Sequence, residues 1–226
     1  MTHRVAGVIL AAGSSARMGR PKALLEIGGS TFIGSIIRSC MDASVSEIVI
    51  VLGADSERIR TSISESIIDC GSAIISSVGP DAASVRAESG ARVIVNEAWE
   101  SGRLSSIVTG IDAVEQSDCD GALIWPVDHP LVSPACIRSM ISAFEQSPEK
   151  IVIPVFEKRR GHPIVLPRRF FDDVRQAPAD PGLRAVIRAH GADICETATD
   201  VEGILVNIDT PEDFKKYINV ETDHGT

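Results

Sequence analysis

The sequence predicts an α/β fold with a mostly parallel sheet and a small β-hairpin lobe. Three observations carry that expectation. Short β-branched runs alternate with amphipathic stretches, the pattern of βαβ units. Glu47 to Leu52 is a nearly continuous apolar run, as in a strand buried on both faces. The length, 226 residues, suits one ordinary α/β domain or one domain with an extra lobe.

The elements follow in order. Val5 to Ala11 is the first strand. A helix is expected from about Phe32 to Ala43, with Thr31 or Ser30 as its cap. Glu47 to Leu52 is the second strand, Asp55 to Ser66 a helix, and Arg92 to Asn96 the next strand. A helix follows from about Leu104 to Gln116, then a central strand from Ala122 to Val127. Ser133 caps a helix whose first residue is Pro134, a favoured pair at that boundary. Ile151 to Phe156 and Pro163 to Pro167 read as two strands joined by the charged turn Glu157 to His162, a hairpin that breaks the alternation and is placed to rise above the sheet. Gly182 to His190 is a helix and Ile204 to Ile208 a last strand. Thr210 then caps a helix that begins at Pro211 and reaches about Asn219. Ile67 to Gly90, rich in Ser, Gly and Ala, reads as an extended helix plus loop or as a partly mobile insertion within a single 1–226 domain. Phe171 to Asp180 has no clear period.

Composition excludes several classes. Lys and Arg number 22 against 31 Asp and Glu, a net charge of −9. A chain this acidic is a poor general binder of nucleic acid, which needs clustered cations. Cys40, Cys70, Cys119, Cys136 and Cys195 form no C-x-x-C pair, so neither a zinc site nor a disulfide framework is expected, and a reducing cytoplasm is. No apolar run approaches the roughly 20 residues of a membrane helix. Arg4 followed by Val5 to Ala12 has the outline of a short signal peptide, but the loop after it carries its own chemistry.

That loop, Leu10-Ala11-Ala12-Gly13-Ser14-Ser15-Ala16-Arg17-Met18-Gly19-Arg20-Pro21-Lys22, is the strongest signal in the chain. Small side chains let backbone N–H groups approach a ligand, and consecutive N–H groups cradle phosphate oxygens. Arg17, Arg20 and Lys22 concentrate cations where no acid occurs from Gly13 to Leu25, so a polyphosphate is the expected partner. The spacing is not that of a P-loop, because five residues separate Gly13 from Gly19 and Lys22 lies three further on. Nor is it a dinucleotide fingerprint, because Ser15 stands where the second Gly belongs.

Leu10-Ala11-Ala12-Gly13, Ser15, Arg17-Met18-Gly19 and Lys22 resemble the signature loop of the MobA-like nucleotidyltransferases, and within them most resemble the molybdenum cofactor cytidylyltransferases. The resemblance covers nearly the whole chain except Ile67 to Gly90. It implies a Rossmann-like three-layer sandwich, a bound NTP, Mg²⁺ and release of pyrophosphate. It also implies a phosphorylated acceptor such as molybdopterin, and a molybdoenzyme as a partner.

The remaining polar positions extend that reading. Asp128 ends a central strand, a place that suits a Mg²⁺ ligand. Asp128-His129-Pro130 resembles the family's metal-binding Asp with its following pair, although His129 stands where Met is more usual. Asn207-Ile208-Asp209-Thr210-Pro211 resembles the family's closing segment, with Asn207 in place of an Asp. Asp209 or Asn207 is then a second metal contact, or Asp209 only favours a helix start. Asn96 resembles a polar position near base and ribose. Gly102 to Ser106 resembles a Gly-x-x-Ser-Ser helix opening, where Ser105 contacts the nucleotide or simply caps the helix. Gly161-His162-Pro163 resembles an element near the acceptor, with Arg159 and Arg160 as a small basic patch beside it. Trp99, Trp125 and Tyr217 read as packing residues.

The expected activity is Mg²⁺-dependent transfer of a nucleotidyl group to a phosphorylated acceptor, with Arg17, Lys22 and Asp128 as catalytic residues. The nucleotide-binding set is Leu10, Ala11, Ala12, Gly13, Lys22, Asn96 and Ser105. The resemblance ties the Ala11-Ala12 form of the loop to CTP and a Gly-Gly form to GTP. Transfer to a sugar or polyol phosphate, and a non-catalytic nucleotide-binding module, remain as alternatives. A dehydrogenase-type protein is disfavoured by the missing fingerprint.

Overall fold

A computed structural model describes residues 3–68, 75–76 and 91–218. Its first strand, β1 (Val5–Ala11), is buried at all seven positions. Such a strand must be covered on both faces, and its alternation shows by what. Val5, Ile9 and Ala11 join one apolar cluster; Ala6, Val8 and Leu10 join another on the opposite face. The stretch that has the outline of a leader is thus the centre of the sheet.

The elements run β1, β2 (Glu26–Ile27), β3 (Ser30–Thr31), α1 (Phe32–Asp42), β4 (Glu47–Leu52), α2 (Ser56–Ile68), β5 (Ile75–Ser76), β6 (Ala91–Val95), α3 (Arg103–Glu115), β7 (Gly121–Pro126), α4 (Pro134–Gln146), β8 (Ile151–Phe156), β9 (Arg159–Arg160), β10 (Ile164–Pro167), α5 (Phe171–Arg175), α6 (Leu183–Ala189), β11 (Ile194–Ala198) and α7 (Pro211–Tyr217). The main sheet has the order β11-β8-β10-β7-β1-β4-β6-β5, and β9 pairs with β8. β7, β1, β4, β6 and β5 are mutually parallel; β10 runs antiparallel to both β7 and β8. Buried side chains of α1, α2 and α4, such as Phe32, Ile59 and Phe144, cover one face, and those of α3, α5 and α6, such as Ile111, Phe171 and Val186, cover the other. This is the Rossmann-like three-layer sandwich.

Local chemistry sets the helix starts. Thr31 Oγ1 accepts from Gly34 N at 3.1 Å, and Ser133 Oγ accepts from Cys136 N at 3.3 Å with Pro134 next, both as expected. Thr210 and Asp213 form a reciprocal capping box for α7. Gly110 lets α3 settle onto β1, since a Cβ there would sit 2.3 Å from Val8 Cγ1.

Three expectations are corrected. Ile204 to Ile208 is not a strand: Glu202–Leu205 is a 3₁₀ turn. Ile204, Val206 and Ile208 are still buried, so the period-2 pattern reports burial here and not sheet pairing. The segment lies across the sheet end, with His162 N bonded to Ile204 O and Ile208 N to Asp128 O, both at 2.9 Å. The strand the pattern missed is β11, a half-exposed strand parallel to β8 with little alternation to betray it. Finally, β8 and β10 both belong to the main sheet, and the small hairpin is β8–β9, turning through Glu157 and Lys158 at positive φ. Phe171 to Asp180 holds the short helix α5. Of the expected insertion, only α2's end and β5 fall within the described residues.

Candidate active site

Chain order fixes where a ligand can enter. From β1 the chain steps outward to β4 and on to the edge strand β5, returns to β6 between them, and α3 carries it back across to β7 on the other side of β1. The crossovers diverge between β1 and β7, and open sheets of this kind bind ligands at the carboxyl ends of the strands at such a point. A cavity of about 400 Å³ opens there, lined by the 12–17 loop, Lys22, the start of α3, Pro126 to Asp128 and Asp209.

The loop after β1 folds around Ser15. Its carbonyl accepts from Met18 N at 2.9 Å and Gly19 N at 3.2 Å, and its hydroxyl accepts from Lys22 N at 3.0 Å. Ser15 and Gly19 both take positive φ. Met18 is buried, which ties the loop to the core beneath. The amides of Gly13, Ser14, Ala16 and Arg17 meet no protein acceptor among the described residues, so they are available to a ligand. Leu10, Ala12 and Gly13 line the cavity. Ala11 does not, because its methyl enters the cluster covered by α1.

Lys22 lies between two carboxylates. Its Nζ is 3.8 Å from Asp128 Oδ2 and contacts Asp209 Oδ1 directly. Arg17 reaches Asp209 Oδ2 at 2.9 Å, and Asn207 donates to the same oxygen at 3.2 Å. Burial pushes the Asp209 carboxyl up, but the Lys22 bond and charge, with Arg17 and Asn207, outweigh it and hold the group below the usual carboxylate range. Asp128 Oδ1 is buried without a hydrogen-bond partner. An unpartnered buried carboxylate oxygen beside a second carboxylate is a site that wants a cation. Among the described residues no three His, Cys, Asp or Glu side chains cluster to enclose one. Two carboxylates fit a divalent cation of the kind that takes one or two carboxylates and completes its shell with phosphate oxygens and water.

The opposite wall is the start of α3. Gly102, at φ 112°, precedes the helix without a side-chain cap, and Gly102, Arg103 and Ser106 line the cavity. The helix therefore presents unsatisfied N–H groups and a partial positive charge to it. Arg103, which the sequence reading did not single out, stands with one guanidinium nitrogen 3.7 Å from Asp128 Oδ2. The sign available in the sequence was its place directly after Gly102 at a helix start. Asn96 is buried behind this wall. Its amide donates to Ser105 Oγ at 2.9 Å and Ser106 Oγ at 3.0 Å, and its carbonyl accepts from Ala98 N at 3.0 Å. Ser105 Oγ turns to the carbonyls of Ala98 and Gly102. Asn96 and Ser105 thus lie outside the cavity lining, and Ser106 lies within it.

His162, Arg159 and Arg160 are also outside the lining. Arg160 pairs with Glu196 at 2.7 Å on the exposed face of β9. His162 packs on His129 with ring centroids 4.8 Å apart, and the Nδ1 atoms of both are buried without partners. Burial, reinforced by His129 and Arg103, lowers the His162 imidazole to about 3. His129, whose Nε2 is 3.8 Å from Asp128 Oδ1, is lowered by burial against the raising influence of that carboxylate.

Phosphate-sized backbone space, clustered cations and paired carboxylates at a sheet switch point define an α/β protein that handles nucleoside polyphosphates. The chain belongs to the MobA-like NTP transferase domain family, whose model matches residues 7–194, and it is a nucleotidyltransferase of that family. It is 30% identical over 196 residues to the nicotine blue oxidoreductase of Paenarthrobacter nicotinovorans, a match covering 81% of each chain. It is 29% identical over 156 residues to a "Probable molybdenum cofactor guanylyltransferase" of Bacillus cytotoxicus, covering 69% of this chain and 64% of that one. The fold matches the manganese complex of Rv0371c from Mycobacterium tuberculosis with a TM-score of 0.70, at 19% identity, over 96% of this chain and 99% of that one. Among the described residues no helix is long and apolar enough to cross a membrane.

Proposed function

We propose that this chain, as one domain, transfers CMP from CTP to a phosphorylated acceptor such as molybdopterin, with Mg²⁺. The observation that carries this reading is Lys22 set between Asp128 and Asp209 in the lining of the cavity. An oxygen of the acceptor phosphate forms the new bond to the α-phosphorus, the bond to the bridging β-oxygen breaks, and pyrophosphate leaves. Lys22 and Arg17 hold the β- and γ-phosphates, with the amides of the 13–17 loop around them. Asp128 and Asp209 would hold Mg²⁺, which when bound neutralises charge on the triphosphate. Little covalent chemistry falls to the protein; positioning and fixed charge carry the rate. Arg159, Arg160 and His162, outside the cavity lining, would meet the acceptor. A phosphate acceptor is already ionised, so no general base is required of His162.

The base preference rests on Ala12, which lines the cavity where glycine would leave more room for a two-ring purine. A difference of this size is worth about 1–3 kcal/mol, or about 10–200-fold in kcat/KM. GTP is the second reading, favoured by the likeness to a protein named as a guanylyltransferase. The test is a panel of CTP, GTP and ATP with molybdopterin and with sugar and polyol phosphates, read by pyrophosphate release. Ala12→Gly should narrow the preference for CTP. A preference for GTP overturns the cytidylyl assignment alone. Because one relative is named an oxidoreductase, oxidation of reduced nicotinamide nucleotides is measured in parallel. Redox turnover without pyrophosphate release overturns nucleotidyl transfer.

A further inference from the structure

The cavity has two chemically different ends, and the side chains assigned above to the triphosphate and the metal occupy only one. Lys22, Arg17 and the two carboxylates occupy the β7 side. At the other end, over β4, stand Trp99 and Glu100. Trp99 is held from behind. Gly53, which follows β4, has no room for a side chain: a Cβ there would lie 2.6 Å from Trp99 Cβ, 2.7 Å from Trp99 Cγ and 2.6 Å from Ala12 O. Asn96 fixes the turn from beneath through Ala98 N, and Trp99 N bonds back to Asn96 O at 3.3 Å. The indole is only half-buried, and its N–H meets no acceptor among the described residues. An aromatic ring clamped by backbone, yet facing a cavity, is a surface prepared for a flat ligand.

The spacing fits. β7, β1 and β4 are adjacent in the sheet, so their ends span about 10 Å, twice the strand separation. That is the reach from a nucleoside's α-phosphate to the far edge of its base. Charge gives the direction. Lys22 and Arg17 attract the triphosphate, whereas the Glu100 carboxylate repels it and accepts hydrogen bonds from an amino-bearing base.

We propose that the Trp99 indole is the platform on which the nucleotide base lies, with Glu100 as an acceptor for its exocyclic amine. This inference rests on the nucleotidyltransferase reading and assigns to Trp99 a role beyond packing.

The chain has two tryptophans; the other, Trp125, is fully buried and donates to His129 O at 3.0 Å, and its emission is the part that remains in the Trp99 variants. Intrinsic fluorescence and calorimetry are therefore run with CTP, GTP, ATP, UTP and inorganic tripolyphosphate in Mg²⁺ buffer. The bound nucleotide should quench wild-type emission, and tripolyphosphate should bind without quenching. Trp99→Phe should abolish the quench while keeping nucleotide affinity within a few-fold. Trp99→Ala should weaken nucleotide binding on the order of 10- to 100-fold, the size of one stacked base, and leave tripolyphosphate unchanged. Glu100→Gln should weaken CTP more than UTP. If nucleotide binds with no Trp99-dependent emission change, or Trp99→Ala weakens nucleotide and tripolyphosphate alike, the platform is overturned and the transferase reading stands. If wild-type protein binds none of the nucleotides, both fall.

Discussion

At the scale of single residues, the site is a contest among charges that do not all point the same way. Lys22 contacts Asp209 and lies near Asp128, while Arg17 and Arg103 approach the same two carboxylates from the outside. A cation held between two anions is oriented before any ligand arrives, which lowers the reorganisation that transfer demands. Lys22→Ala should lower both NTP affinity and kcat, because the phosphate contact proposed for it would strengthen as charge moves onto the leaving pyrophosphate. Arg17→Ala should act in the same direction, and less strongly, since its side chain is 70% exposed. Arg20→Ala should change little, because its guanidinium lies over the Phe214 ring at 5.7 Å, on α7. Steady-state kinetics of the three variants orders them; Arg20 as the most damaging position would displace the loop from the site. Asp128→Asn should fold normally and lose roughly 10²-fold in metal-dependent turnover, the cost of one electrostatic group. Unchanged turnover in that variant would remove Asp128 from catalysis.

At the scale of elements, the short helix α7 is what presents Asp209. The Asp213 carboxylate accepts from Asp209 N at 3.0 Å and from Thr210 N at 2.9 Å, and Thr210 Oγ1 accepts from Asp213 N at 3.2 Å. The same box that caps the helix thus fixes the backbone of a site carboxylate. The bond from Asp209 N is the leading cause that holds the Asp213 carboxyl below its usual range. Thr210→Ala should cost about 1 kcal/mol, seen as a fall in Tm of about 2–4 °C. Asp213→Ala removes both backbone bonds at once, so it should also weaken Mg²⁺ and NTP binding by isothermal titration. A loss of Tm with unchanged binding would show that Asp209 keeps its place without the box.

For the whole molecule, the buried His129–His162 pair makes stability depend on pH. His162 is held near 3 against an ordinary 6.5. Between those values the unfolded chain binds a proton that the folded chain refuses. Stability from this group is therefore complete above about 6.5 and is lost as pH falls toward about 3. His162→Gln keeps a polar side chain without the titration. Its Tm, measured from pH 7 to pH 4, should fall less steeply than that of the wild type. Equal slopes would mean that His162 titrates normally in the folded state.

The sequence by itself determined the layered plan and the outline of the site. β1, β4 and the caps at Thr31, Ser133 and Thr210 were legible because their signals are local: a run of apolar residues, or one hydroxyl before a helix. The loop from Gly13 to Lys22 was legible for the same reason, since its chemistry lies in consecutive residues. Tertiary structure alone decided which distant groups meet. Asp209 reaches Lys22 across 187 positions because the 204–208 segment lies over the sheet end, a path that period-2 burial disguised as a strand. It also decided that Asn96 braces the wall while Trp99 and Arg103 face the cavity, because a side chain's direction there depends on Gly53 and Gly102. Periodicity reports how deeply a residue is buried, and only the packed chain settles whether it is buried against the core or beside a ligand.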